Sequence, residues 1–261
     1  MSTDIHPSSV IDPSAQIGDG CKIGPFCVIG PQVVLGDGVE LKSHVVVTGD
    51  THVGADTVIF SFAVIGEIPQ DKKFGGEATR LRIGARNRIR EHVTMNPGTE
   101  GGGGITRVGD DGLFLAGSHI AHDCQVGDRV VVVNHTALAG HVEVGDDVVI
   151  GGLSGIHQFV RIGQGAMIGA MSMVTKDVMP FGLVQGPRAE LEGLNLVGLK
   201  RRGVSREDIA ALRAAFGALR DGEGPFHDRA QTVRDEADSA HVREMLDFVL
   251  GDHSRHVLTP V

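Results

Sequence analysis

The stretch IGPFCVIGPQVVLGDGVEL, Ile23 to Leu41, places a large aliphatic residue at every sixth position: Ile23, Ile29, Leu35 and Leu41. Extended in both directions, the same step reaches back through Ile17 and Ile11 to Ile5 and forward through Val47, Val53 and Ile59 to Ile65. The run breaks, resumes in phase at Ile83, Ile89 and Met95, and breaks again. A third run in a new phase goes from Val108 through Phe114, Ile120, Val126, Val132, Leu138, Val144, Ile150, Ile156, Ile162 and Ile168 to Val174. Four residues after each large aliphatic stands a small one, such as Cys21, Cys27, Val33, Val39, Ser118, Cys124, Val130 and Thr136. A large and a small residue alternating in steps of six describe short strands that turn corners around a narrow interior. Such a hexapeptide repeat predicts a parallel β-helix.

Three hexads make one triangular coil, so residues eighteen apart stack with their strands about 4.8 Å apart. All three cysteines occupy the small slot and read as packing residues. Many of the 38 glycines directly follow the large aliphatic (Gly18, Gly24, Gly30, Gly36, Gly84, Gly109, Gly127), where tight corners are expected to need a permissive backbone. Two interruptions read as loops leaving the coil, at about residues 66–82 and 96–107, and loops on a rigid scaffold are where function tends to sit. The hexads end near PFGLVQGPRAE, and helical signals follow: Ser205 as an N-cap, then IAALRAAFGALR, then HVREMLDFVL. The expected organisation is a β-helix over residues 1–188 and a helical unit over 189–261 that caps the last coil, whose edge is otherwise open to pairing.

The composition narrows the function. A formal net charge of -9 argues against a general nucleic-acid binder. The start, MSTDIHPSSV, lacks a basic region followed by an apolar run, and no apolar stretch approaches the length of a membrane span. A soluble cytoplasmic protein without stable membrane insertion is the expectation.

The chemistry concentrates in HIAHDC, His119 to Cys124. His119, His122, Asp123, His141 and His157 all fall outside the interior slots. With 13 histidines in the chain, scattered surface histidines are the plain alternative. Stacking by eighteen puts Ala121-His122-Asp123, Ala139-Gly140-His141 and His157-Gln158-Phe159 on one face of three successive coils. Gly140 is then expected directly over His122, with Asp123 and His141 one coil apart. A histidine, a neighbouring carboxylate and a backbone N–H supply a base, its orienter and an oxyanion site. The competing reading is a metal site. The β-helical carbonic anhydrases use an H-x4-H pair, which this chain lacks, so no metal is expected.

The segments IGPFCVIGP, LKSHVVV, IGEIPQDKKFGGE, RNRIRE, HIAHDC, LAGHVEVGD, IHQFVRIG and GLKRRGVSRE closely resemble the UDP-N-acetylglucosamine O-acyltransferase family, and the match covers nearly the whole chain. The resemblance implies a left-handed coil, since periodicity alone does not set the hand. It implies transfer of a 3-hydroxyacyl group from acyl carrier protein to the glucosamine 3-hydroxyl of UDP-N-acetylglucosamine, the first step of lipid A synthesis. It also implies a homotrimer with sites between subunits, and no cofactor beyond the carrier's phosphopantetheine. On matching positions, His122 is the general base, Asp123 its orienter and the Gly140 N–H the oxyanion donor. Asp71, Lys73, His119, His141 and Gln158 look like sugar contacts, and His157 lies by the acyl chain. Asn195, Arg201 and Arg202 resemble the nucleotide site. Val197 departs from an acidic residue of some relatives. Ala170, with Met171 beside it, aligns with the position that limits acyl length. A basic run, Arg80, Arg82, Arg86, Arg88 and Arg90, is a candidate dock for the acidic carrier protein, or an ordinary solvated face. Two other readings stand beside this one. The sister N-acyltransferase carries an additional N-terminal domain, whereas hexads here begin at Ile5; a noncatalytic β-helical scaffold needs no stacked histidine, aspartate and glycine. The resemblance leaves open whether the acceptor is a 3-hydroxyl or a 3-amine.

Overall fold

A computed structural model describes residues 2–252 and 255–261. Its strands are mostly two residues long and form three sheets of eleven, nine and eight strands, each taking every third strand of the coil and all parallel except at the C-terminal end of the first. The first sheet begins at Asp4–Ile5, the second at Val10–Ile11 and the third at Gln16–Ile17. The architecture is a left-handed parallel β-helix. Register follows the step of eighteen, as in Ile5 with Ile23 and Val126 with Val144. At the two interruptions the spacing widens to thirty, for Ile59 with Ile89, and to twenty-five, for Met95 with Ile120. The second insertion is not a multiple of six, which accounts for the change of phase at Val108.

The interior is the two slots read from the sequence. From Cys21 onward both are closed to solvent: Cys21, Cys27, Val33, Ala63, Ile120 and Cys124 are among the buried residues. Each fully buried aliphatic contributes about 1.5–3 kcal/mol. The first coil differs, with Ile5 43% exposed, because nothing stacks on its outer edge.

The corners work differently from the expectation. The glycines named above do not supply positive φ. The left-handed conformation falls two residues later, on side-chain-bearing residues such as Phe26, Arg86, Asp123, Arg129, His141 and Phe159. The glycines are required by proximity instead: a Cβ on Gly54 would lie 2.4 Å from the carbonyl carbon of Gly84 in the next coil.

The loops are shorter than expected at their C-terminal ends. Arg80–Ile83 and Ile105–Val108 are strands of the third sheet and pair with each other in register. The helical unit also begins later than residue 189. Gly182–Gln185 and Glu190–Leu194 form an antiparallel hairpin that extends the first sheet, and helix follows only from Leu196. The helices are α1 (Leu196–Arg201), α2 (Arg206–Asp221), α3 (Phe226–Asp235) and α4 (Ala240–Leu250). Ser205 caps α2 as anticipated, its Oγ accepting the Asp208 N–H at 2.9 Å. The last coil is covered by Phe181, Leu199, Leu212, Leu219, Met245 and Leu246, all buried. The C-terminal segment adds bridges from Val257 to Asp177 and from Pro260 to Leu191. Among the described residues, no helix is long and apolar enough to cross a membrane.

Candidate active site

Asp123 and His141 both sit at the left-handed corner position between the second and third sheets, one coil apart, with φ of 62° each. Asp and His tolerate this conformation better than most side chains. The corner turns the Asp123 carboxylate toward the ring of His122, whose Nδ1 donates to Oδ2 at 2.8 Å. Both residues are buried. With its proton on Nδ1, a neutral His122 leaves the lone pair of Nε2 to accept a proton. That arrangement of base and orienting carboxylate serves general-base chemistry.

Gly140 stacks over this ring as the repeat requires. A Cβ at Gly140 would lie 2.6 Å from His122 Nε2. The Gly140 N–H enters no hydrogen bond among the described residues. Gln70, His119, His122, Gly140, His157 and Gln158 line one cavity of about 450 Å³, whose far wall is Met173.

The surrounding histidines differ in state. His119 Nδ1 lies 2.7 Å from Thr94 Oγ1, and burial, with a smaller contribution from His122, holds its imidazole below the ordinary range. Burial also depresses His141, partly offset by the Asp123 carboxylate 3.8 Å from its Nε2. Its ring stacks on Phe159 at 4.4 Å. Asp71 and Lys73 are near enough to act electrostatically on His141, and the Asp71 carboxylate accepts the Lys73 N–H. His122, Asp123 and His141 also form a cluster with donor atoms within 4.8 Å, the geometry of a small metal site. The carboxylate, however, already accepts from His122 Nδ1, the Thr99 N–H at 2.8 Å and the Thr99 hydroxyl at 2.6 Å. Three protons directed at two oxygens suit an orienting anion better than a metal ligand.

Asn195, Arg201 and Arg202 are not brought to this cavity within one chain. They line a separate one of about 700 Å³, with Val149, Met167 and Leu183 of the first sheet, opposite the His122 corner. Asn195 caps α1 by accepting the Gly198 N–H and also donates to the Gly165 carbonyl at 3.0 Å. Arg201 is exposed. The Arg202 guanidinium lies over the Phe181 ring and 3.9 Å from Asp147, and its three nitrogens are buried without a hydrogen bond. Val197 is exposed at the rim. Ala170 and Met171 are exposed at the corner between the first and second sheets, one strand away from the His157 cavity.

The basic run does not form one patch. Arg82 pairs with Asp50 on the third sheet, Arg86 with Asp110 and Asp111 at the next corner, and Arg90 with Glu91 beside Phe60 on the first. Three site residues have no counterpart in the sequence reading: Gln70, Thr99, and Arg255, which donates to His157 Nδ1 at 2.7 Å and to the Gln158 carbonyl at 3.1 Å. Gln70 and Thr99 lie in the two loops already singled out, whereas the Arg255 contact is long-range and carries no local signal.

Comparison with known proteins bears on the family and the fold. The family described as Udp N-acetylglucosamine O-acyltransferase, domain 2, matches residues 177–258, and the bacterial transferase hexapeptide family matches residues 5–31, 14–49 and 141–176. The chain is similar to the acyl-(acyl-carrier-protein)–UDP-N-acetylglucosamine O-acyltransferase of Paracoccus denitrificans, with 66% identity over 78% of this chain and 77% of that one. The enzyme of the same name from Caulobacter vibrioides is 56% identical over 82% of each chain. Among solved structures, a UDP-N-acetylglucosamine acyltransferase superposes with a TM-score of 0.95 at 42% identity, over 99% of both chains. The Campylobacter jejuni UDP-N-acetylglucosamine acyltransferase does so with a TM-score of 0.93 at 38% identity, over 99% of this chain and all of that one.

Proposed function

Since the chain belongs to the UDP-N-acetylglucosamine O-acyltransferase family, we propose that it transfers a 3-hydroxyacyl group from acyl carrier protein to the glucosamine 3-hydroxyl of UDP-N-acetylglucosamine. This is the first step of lipid A synthesis, carried out in the cytoplasm. The observation that carries the reading is the buried His122–Asp123 pair beneath Gly140, beside a cavity. His122 Nε2 takes the proton of the 3-hydroxyl as that oxygen attacks the thioester carbonyl. Asp123 stabilises the imidazolium that forms, and the Gly140 N–H donates to the developing oxyanion. Collapse of the intermediate expels the carrier's thiolate, which takes the proton from His122. The thioester arrives on phosphopantetheine, so the protein needs no cofactor of its own.

Gln70, Asp71, Lys73, His119, His141 and Gln158 surround the sugar in this reading, and His157 flanks the acyl chain. Asn195, Arg201 and Arg202 take the nucleotide. Buried guanidinium donors lacking acceptors suit a diphosphate. Because the two cavities lie on opposite sides of one coil, one substrate can span both only across a subunit boundary. That supports a homotrimer in which each site uses two chains. Incubating the purified protein with 3-hydroxyacyl carrier protein and either UDP-N-acetylglucosamine or its 3-amino analogue tests the reading. Acylation of the hydroxyl sugar is expected; acylation of neither, or of the amine alone, would overturn it.

A further inference from the structure

The glycine-rich excursion from Asn96 to Gly104 has no role in the chemistry above, yet it is folded onto the carboxylate of the catalytic pair. We propose that Thr99, in this loop, is a positioning residue for acyl transfer. It clamps the Asp123 carboxylate in the orientation that serves His122, and the glycines around it exist to let the loop come that close. The proposal rests on the acyl-transfer reading.

Thr99 is buried and grips both oxygens of Asp123: its N–H donates to Oδ1 at 2.8 Å and its hydroxyl to Oδ2 at 2.6 Å. Oδ2 is also the atom that accepts from His122. Two donors from one residue fix the plane of the carboxylate, where a single contact would leave it free to rotate. Rotation matters because His141 Nε2, from the next coil, lies 3.8 Å from the same oxygen and competes for it. A buried carboxylate also needs its lone pairs satisfied, and Thr99 supplies two of the donors.

The loop's composition follows from this contact. A Cβ at Gly102 would lie 2.0 Å from Asp123 Cγ. At Gly98 it would lie 2.1 Å from the Ile105 nitrogen and 2.7 Å from Asp123 Oδ1. No side chain fits at either position while Thr99 holds the carboxylate. The loop is anchored in turn: the Asn96 amide donates to the Glu67 and Ile68 carbonyls, and the Glu100 N–H approaches the Glu77 carboxylate. Those partners flank the segment that carries Gln70, Asp71 and Lys73.

The test compares Thr99→Val, which keeps shape and the N–H contact but removes the hydroxyl, with Thr99→Ser, which keeps the clamp. The titratable groups facing the pair are His119 on the same coil, His141 on the next, and Asp71 and Lys73 from the first loop; none is altered. Thr99→Val is expected to lower kcat by about 10- to 100-fold, the range of one hydrogen bond to a charged group. KM for both substrates is expected to stay within about twofold, since the loss falls on the transition state. With one donor gone, the carboxylate charge acts more strongly on the imidazolium, so the acid limb of the pH–rate profile moves to higher pH. Thr99→Ser is expected to retain wild-type kcat and profile. Full kcat with an unmoved acid limb in Thr99→Val overturns the proposal, as does failure of serine to rescue. Should Thr99→Val not fold, Thr99→Ala is read by the same criteria. In an Asp123→Ala background, Thr99→Val is expected to cost nothing further, and an additive loss also overturns the proposal. Wild-type protein that acylates no sugar nucleotide defeats the acyl-transfer reading itself, a result distinct from all of these.

Discussion

Gly140 lies so close above the His122 ring that a methyl group on its Cα would sit 2.4 Å from Cε1 and 2.6 Å from Nε2. Both distances are inside van der Waals contact, and the ring cannot retreat without leaving Asp123. Gly140→Ala is therefore expected to lower kcat/KM by about 10²-fold, comparable to losing an oxyanion donor. Its circular dichroism and assembly should be unchanged, since the backbone there has negative φ and accepts alanine. Full turnover in this variant would show that the ring and the coil can part without consequence.

In the proposed mechanism His122 accepts the hydroxyl proton, with Asp123 fixing its tautomer. His122→Ala should lower kcat by about 10²-fold or more while the protein stays folded. Steady-state assay of the purified variant is sufficient. Turnover near wild type would mean that another base, His119 or His141, does the work.

What the sequence could reveal divides along the range of the contacts. Ile23, Cys27 and Leu35 announce the interior because a coil repeats the same environment every six residues, so one pattern is written many times. The corners escaped notice because their left-handed position holds Phe26, Asp123, Arg129 or Leu153 with no shared chemistry. The stacking of Gly140 on His122 was legible, since a constant step of eighteen converts spacing into contact. Thr99 was not, because it reaches Asp123 from a loop inserted outside that step. Nor was Arg255, which meets His157 across nearly a hundred residues. Glu190–Leu194 alternates too weakly to read as a strand, and it becomes one by pairing with Gly182–Gln185. Helix α3, FHDRAQTVRD, is mostly polar and buries only Ala230, so it lacks an apolar stripe to announce it.

Arg201 and Arg202 are neighbours in sequence but not in environment. Arg202 is packed against Phe181 with unpartnered donors, and Arg201 is exposed. If both bind the diphosphate, Arg202→Met should weaken sugar-nucleotide affinity by about 1.5–3 kcal/mol, and Arg201→Met by less, because solvent screens it. Because the Arg202 donors have no hydrogen-bond partner to lose, the substitution should change the melting temperature little. Calorimetric titration with the sugar nucleotide gives the comparison. Equal affinity in wild type and the double variant would reject the assignment.

The depressed imidazole of His119 has a consequence for stability. Burial is the main cause, so the unfolded chain binds a proton at a pH where the folded protein does not. The stabilisation is fully present above the ordinary imidazole value of about 6.5. It is lost as pH falls from there through the lower folded value. Melting temperatures measured from pH 7.5 down to pH 5 should fall more steeply in wild type than in His119→Gln, which has nothing to protonate. Parallel curves would show that His119 contributes no acid sensitivity.

Acyl length should be set where the groove beside His122 ends. Going up the outer face of the second sheet, Thr94, His119, Ala137, Gly155 and Met173 pair in succession. Ala137 and Gly155 make a shallow trough, and a Cβ on Gly155 would meet nothing within 4 Å. Met173, 56% exposed, stands across the end of that trough and lines the same cavity as His122 and Gly140. Ala170 and Met171 are exposed at the neighbouring corner, one strand away from this cavity. One methylene of misfit changes selectivity by about 1–3 kcal/mol, or roughly 10- to 200-fold. The wild-type enzyme is therefore expected to prefer 3-hydroxyacyl chains shorter than fourteen carbons, about ten to twelve on this reasoning. Removing the end wall should matter more than a change one strand away. Met173→Gly is expected to shift the optimum in kcat/KM to longer chains, and Ala170→Gly to do so by a smaller step. Methionine bends easily, so the wild-type profile should fall off gradually on the long side rather than abruptly. A wild-type optimum at fourteen carbons, or an unchanged profile in both variants, would place the limit on some other wall of the groove.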